Sequence, residues 1–384
     1  KWRVQAGVVL ISLCQGLQYT ISPVLNKIQQ EYPKVAMDYI QMLVTIPALL
    51  SMAAAILSSG LVYRFSKKSM VILGAFLSGI CGCLPIFIKG FEMIFFSRVV
   101  YGIGLGLVTV LNTAIIAEYF EGRERGKVLG IQGASVGCGI LLTTTLGGII
   151  GRVNYEFVYY LHIFGILSAA LLYFLLPKGR VEEKKADSKH HLNKTVYRVG
   201  FLGIIEFIFL MAFTSNLALH LGGRYAGDAG LAGILSGIFS GSQIVIGCVI
   251  SYVFRVFKEK TLYAAMVCFG AGSILLVLFP GNLAPLTAAA VFCGLSQGIF
   301  TPRAMYEVTE AVEASDAAMA SAFFTICMYI GQFLSPVVLN ALTKAIFGST
   351  GTSDIFFVCF LSMIAIPVLF MLSLCRRKTS VSYK

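Results

Sequence analysis

Three ionisable side chains lie inside long apolar runs of this 384-residue chain: Arg98, Glu206 and Arg303. A charge in hydrocarbon costs about 2.5–3.5 kcal/mol on insertion scales, so each marks a place where a solute binds or a proton moves. Glu206 and Arg303 fall at similar depth, roughly two turns inside their helices. Leaving either alone would strand a desolvated charge, so the sequence predicts that they pair, directly or through a bound solute. Glu307 competes for Arg303, because a residue four positions on shares its helical face. A carboxylate that gains and loses such a partner can take up and release a proton, which makes Glu206 and Glu307 the candidate proton-coupling residues. Arg98 has two readings, a contact to an anionic solute or a donor to backbone carbonyls of neighbouring helices.

Neutral polar residues form a second pattern. Gln15, Gln18, Tyr19 and Ser22 recur at i, i+3, i+4 and i+7, one helical face in otherwise apolar sequence, as a cavity wall requires. Asn112 follows Arg98 on a face that repeats every seven residues, while Gln132, Gln243, Gln297 and Gln332 stand in other apolar runs. Amides both donate and accept, so Gln15, Gln18, Tyr19, Arg98, Asn112, Gln132, Gln243, Gln297, Arg303 and Gln332 make up the candidate substrate-binding set. Hydrogen bonding between helices is the competing role for each amide.

These residues can be positioned only by helices that cross a bilayer. The 30 Lys+Arg and 18 Asp+Glu make 12% of the chain, against roughly 25% in soluble domains, and 57% of residues are hydrophobic. That excludes a water-soluble globule and a disordered chain. Apolar runs long enough to span occur at about 6–29, 39–63, 69–88, 92–118, 127–150, 155–176, 199–221, 229–254, 261–280, 284–309, 317–346 and 354–375. Of the 30 cations, 22 fall at the two ends and in the even-numbered loops, and only 6 in the odd-numbered loops. Both termini and the hydrophilic stretch 178–198 are therefore expected in the cytoplasm. The net charge of +12 is an orientation signal, and no nucleic-acid partner is needed. The ten Cys show no metal-ligand spacing and read as small apolar residues; no phosphate-binding loop or nucleophile–His pairing suggests an enzyme, and no cofactor is expected.

The two halves echo each other. Gly102, Gly106 and Glu118 recur as Gly294, Gly298 and Glu310 at an offset of 192, and the basic turn at Arg64, Lys67 and Lys68 recurs at Arg255, Lys258 and Lys260. An in-register repeat of six plus six helices is the layout in which a solute site forms between halves near the midplane. The expected divisions are a first six-helix bundle at 1–177, a linker at 178–198 and a second bundle at 199–384.

On Arg98 with Gly102, Gly104 and Gly106, and on the following loop Glu118 to Lys127, the chain resembles the major facilitator superfamily over its whole length. The resemblance implies an all-α fold of twelve transmembrane helices in two bundles related by a pseudo-two-fold, with helices 1, 4, 7 and 10 lining the cavity. It also implies a cytoplasmic gate of Arg64, Lys67, Lys68, Glu118, Arg125 and Glu310. Two departures stand out. Tyr63 occupies the place of the family's Asp between helices 2 and 3, so the gate is reduced or uses Glu118. Thr143 to Gly148 replaces the Gly-Pro motif of the drug antiporters' helix 5. The expected function is secondary active transport of a small organic solute by alternating access, coupled to protons, in a monomer embedded in the lipid bilayer of a bacterial inner membrane. Two arginines against one deep glutamate favour an anionic or zwitterionic solute. Proton-coupled multidrug efflux is the alternative, and a transport-dead sensor the distant one.

Overall fold

The computed structural model describes residues 1–177, 192–313 and 316–381. It is all-helical among the described residues, with twelve helical segments long and apolar enough to cross a membrane: Trp2–Glu31, Met37–Ser58, Lys67–Phe87, Phe91–Tyr119, Glu124–Val153, Tyr155–Leu175, Lys194–His220, Ala229–Cys248, Ile250–Leu278, Leu283–Glu310, Met319–Phe347 and Thr352–Leu369. We number them spans 1 to 12. In hydrocarbon every backbone N–H and C=O must find an internal partner, which leaves helices as the local solution for such apolar sequence.

The repeat read from the sequence is visible in the packing. Span 3 packs on span 4, span 2 on span 4, span 3 on span 6, and span 1 on span 5; each pairing recurs six spans later, as 9 on 10, 8 on 10, 9 on 12 and 7 on 11. The first six and last six spans meet through spans 5 and 8 and through spans 2 and 11, again a pair of equivalent contacts.

Three expected boundaries shift. Span 7 begins at Lys194, not 199, because the Asn193 side chain accepts from the amides of Thr195 and Val196 and caps the helix there. The expected linker therefore keeps only its first part, and residues 178–191 of it lie outside the described residues. Span 1 is not one helix: an α-helix over Trp2–Gln15 gives way to 3₁₀ turns at Gly16–Tyr19 and Ser22–Val24 before Leu25–Glu31 resumes it. The break follows from close packing and from Pro23, which has no N–H to donate. A Cβ on Gly16 would lie 2.5 Å from the Gly139 carbonyl oxygen of span 5. Span 8 ends at Cys248; a short helix, Ile250–Phe257, precedes a turn in which Lys258 takes φ 50°, and the regular helix of span 9 starts at Thr261.

Among the described residues, the tightest contacts between the two halves lie toward one end. We call the end bearing both chain ends the terminus end and the opposite one the distal end. Near the distal end spans 5 and 8 touch backbone to backbone: a Cβ on Gly148 would lie 2.5 Å from the Ala229 carbonyl oxygen, and one on Gly233 would lie 2.5 Å from the Thr144 carbonyl oxygen. Contact persists as far as Gly137 against Ile244. Beyond it nothing lies within 4 Å of where a Cβ would sit on Gly133, Gly130, Gly126 or Gly247, so the spans part and leave a cleft toward the terminus end. Only glycine permits this crossing, because a methyl group at Gly233 would overlap main chain that cannot yield. Gly233→Val is expected to wedge the distal end open. In a cysteine-depleted background carrying Ser22→Cys, labelling by an impermeant maleimide from the distal side should rise several-fold; unchanged labelling would show that the crossing does not hold this end shut.

Candidate substrate site

At the apex of the cleft an open cavity, with about 320 Å³ of empty space that runs into the solvent, lies between the halves. Span 1 contributes Tyr19 and Ser22, span 5 Ile140 and Thr144, span 7 Met211 and Thr214, span 8 Ser236, Phe239, Ser240 and Gln243, and span 10 Gln297. The 3₁₀ break in span 1 brings Tyr19 and Ser22 into this wall, and Ser22 closes its distal side by donating to the Thr214 carbonyl. Three residues of the substrate-binding set line the cavity: Tyr19, Gln243 and Gln297. Gln243 Nε2 donates to Gln297 Oε1 at 3.0 Å, across spans 8 and 10.

The other members lie elsewhere. Arg98 is fully buried within the first half, where Nε donates to the Leu43 carbonyl at 3.0 Å and an Nη donates to the Gln18 carbonyl. Its second Nη faces His162 Nε2 at 3.4 Å, and the guanidinium stacks 4.6 Å from the Tyr101 ring centroid. Of its two readings this geometry is that of the backbone donor. Asn112 donates to Ser12 Oγ at 2.9 Å and Gln132 to Thr113 Oγ1 at 3.1 Å, each tying neighbouring spans together. Gln15 and Gln18 each bury an Nε2 without a partner, and Gln332 a lone Oε1.

The expected ion pair between Glu206 and Arg303 does not form. Span 7 starts earlier than the sequence suggested, so Glu206 lies near the middle of its helix, level with Ser296 of span 10. Arg303 is seven residues further along span 10, about 10 Å nearer the terminus end. It pairs instead with Glu307 one turn away, Nε to Oε1 at 2.7 Å, with its guanidinium over the rings of Phe254 and Tyr306. Glu206 is fully buried; its Oε1 accepts from Ser296 Oγ at 3.1 Å and its Oε2 has no partner. Both arginines that favoured an anionic solute are thus engaged away from the cavity.

Charges of the gate set lie at the terminus end. Lys67 bonds Glu118 at 2.8 Å, and Lys68 donates to the carbonyls of Tyr173 and Leu176, all within the first half; Arg64, Arg125 and Glu310 are exposed. Bonds between the halves occur at the distal end, where sequence reasoning placed none. Arg152 of span 5 grips Asp228, the N-cap of span 8, through two bonds of 2.8 and 2.9 Å. Gln41 of span 2 donates to Asn216 of span 7 at 2.5 Å, and Asn340 of span 11 donates to Gln41 at 2.6 Å and to Asp38. Partners drawn from different halves share no sequence spacing; the one available signal was amides near the ends of apolar runs.

Residues 8–201, half of the chain, match the family model described as Major Facilitator Superfamily. The chain belongs to the Major Facilitator Superfamily. Among curated relatives, the riboflavin transporter RibZ of Clostridioides difficile is 27% identical over 187 residues, 47% of this chain and 41% of that protein. Multidrug resistance protein 2 of Bacillus subtilis is 24% identical over 39% of this chain and 40% of its own length. The chain thus spans about two fifths of the length of these relatives. Multidrug resistance protein MdtL of Escherichia coli is 23% identical over 65% of this chain and 67% of that protein. The solved nucleoside transporter NupG superposes with a TM-score of 0.79 over 96% of this chain and 99% of that one, at 14% identity, a likeness of fold. These relatives are named as a riboflavin transporter and as multidrug resistance proteins.

In this superfamily member Arg98 staples spans 1, 2 and 4. Arg98→Lys keeps the charge but offers one ammonium for three positions, and each charge-assisted bond lost costs about 1.5–3 kcal/mol. The melting temperature in detergent should drop while solute affinity of the folded fraction stays within about twofold; a selective loss of affinity would instead make Arg98 a solute contact. For the distal latch, the bonds from Arg152 hold the Asp228 carboxyl below the usual carboxylate range. A depressed carboxyl stabilises the closed end above its ordinary pKa, and that contribution fades as pH falls through the depressed value. Because the pair is partly exposed, Asp228→Asn should raise distal labelling by no more than about fivefold, and the double exchange Arg152→Asp with Asp228→Arg should reverse most of the rise.

Proposed function

We propose that the protein is a secondary active transporter that moves a small organic solute by alternating access and couples that movement to protons. The reading is carried by one observation: a cavity between the halves, latched at the distal end and reached by a cleft from the terminus end. The excess of Lys and Arg at the terminus end supports a cytoplasmic terminus side, so the described conformation is open to the cytoplasm. Two units, residues 1–177 and 199–384, rock about the crossings of spans 5 with 8 and 2 with 11.

Glu206 is the proposed proton carrier. A carboxylate with a single hydroxyl donor and one empty oxygen in an apolar core lacks the compensation that a charge needs, so in this state the group carries its proton. Its Ser296 partner is adjacent in sequence to Gln297 of the cavity wall, which gives proton release a short mechanical path to the solute. Proton-coupled multidrug export is the second reading, supported by the relatives named as multidrug resistance proteins.

Glutamine mimics the neutral acid and can keep the Ser296 bond. Glu206→Gln in proteoliposomes is therefore expected to retain solute exchange across the membrane and to lose accumulation driven by a proton gradient, by about tenfold or more. Normal gradient-driven accumulation in the variant would remove Glu206 from the coupling.

A further inference from the structure

Resting on that transporter reading, we propose that the cavity takes an uncharged, planar heterocycle and holds it by a lactam or imide edge, an N–H beside a C=O. The lining carries no ionised group: its polar residues are Tyr19, five serine and threonine hydroxyls, and the amides Gln243 and Gln297. All five hydroxyls spend their hydrogens on main-chain carbonyls. Ser22 donates to Thr214, Thr144 to Ile140, Thr214 to Met211, Ser236 to Ala232 and Ser240 to Ser236. They turn only lone pairs toward the cavity, an arrangement that repels an anion.

The two amides supply what the hydroxyls lack. With Gln243 Nε2 donating to Gln297 Oε1, the Gln243 carbonyl oxygen and the Gln297 amide N–H remain for a ligand. Exchanging oxygen and nitrogen on both side chains reverses the roles but again leaves one carbonyl and one N–H. A free acceptor and a free donor on neighbouring side chains match the N–H and the C=O of such an edge, one bond to each. The adjoining surface suits a flat ring: Phe239 lines the cavity and stacks on Phe213 at 4.7 Å and 14°, with Ile140 and Met211 beside it. A cation finds no carboxylate here, since Glu206 lies behind the wall with its hydroxyl partner.

The test uses full-length protein in proteoliposomes under both polarities of proton gradient, with five probes: uridine and riboflavin, which carry an imide edge; 3-methyluridine, which lacks its N–H; benzoate as an anion; and tetraphenylphosphonium as a cation. Uptake of uridine or riboflavin is expected, with 3-methyluridine about tenfold weaker than uridine. Gln297→Met should bring the uridine to 3-methyluridine ratio close to one, with Gln243→Met as the second variant should the first fail to fold. An equal loss for both nucleosides would mean that the amides only shape the wall, and would overturn the assignment. Transport of benzoate or tetraphenylphosphonium without any imide-bearing probe would overturn it as well while leaving the transporter reading intact. Movement of no probe under either gradient would count against both.

Discussion

Polar groups withdrawn from water must find partners inside the helical bundle, and this constraint sorts the whole molecule. It sets Arg98 on two backbone carbonyls and a histidine instead of in the cavity, because five N–H donors in hydrocarbon are satisfied most fully by oxygen that is already fixed in place. It turns Arg303 onto Glu307, and it turns four of the five serine and threonine hydroxyls of the cavity wall back onto their own helices, the fifth, Ser22, reaching the Thr214 carbonyl. What stays unsatisfied is then informative. The second oxygen of Glu206 is one of several buried polar atoms without a partner, and the Gln243–Gln297 pair keeps a carbonyl and an N–H that the bond between them does not use.

The halves meet under the same constraint in two chemically different ways. Backbone approach at Gly148 and Gly233 is a contact of shape alone, tolerant of small rotation but not of an added side chain. The distal bonds, Arg152 with Asp228 and the chain from Asn340 through Gln41 to Asn216, are directional and break when the halves rotate. A close-packed pivot beside breakable polar latches is what a bistable assembly needs, since packed interfaces switch between arrangements and do not deform continuously. The latches are weak one by one, which suits a conformational equilibrium balanced within a few kcal/mol.

Much of this is legible in the sequence. Apolar run length and the offset of 192 foresaw twelve spans and their repeat, because hydrocarbon thickness and backbone satisfaction leave few alternatives. Tyr19, Gln243 and Gln297 stood out as polar residues in apolar runs, and they line the cavity. That Glu206 and Arg303 stand at different depths and do not pair was not legible, since relative depth depends on where span 7 begins, and that depends on the Asn193 cap and not on hydropathy. Nothing in the sequence marks His162, because its partners Arg98 and Tyr101 come from a different span. The distal latches were hidden for a similar reason: each joins residues at least 76 positions apart, and local periodicity says nothing about such pairs.

Glu206 and the cavity are therefore best considered together. Ser296 and Gln297 are consecutive on one helix, so the first points to the carboxyl in the core of the second half and the next toward the cleft. Loss of the Glu206 proton would leave a carboxylate with a single hydroxyl donor, and the cheapest relief is movement of span 10 or entry of water. Either displaces Gln297 relative to Gln243 and separates the donor and acceptor that a solute would grip. By linkage the converse holds, because a solute that ties the two amides together opposes that movement and so favours the protonated form. On the proposed reading, proton and solute need not share an atom to be coupled; one residue step along span 10 is enough.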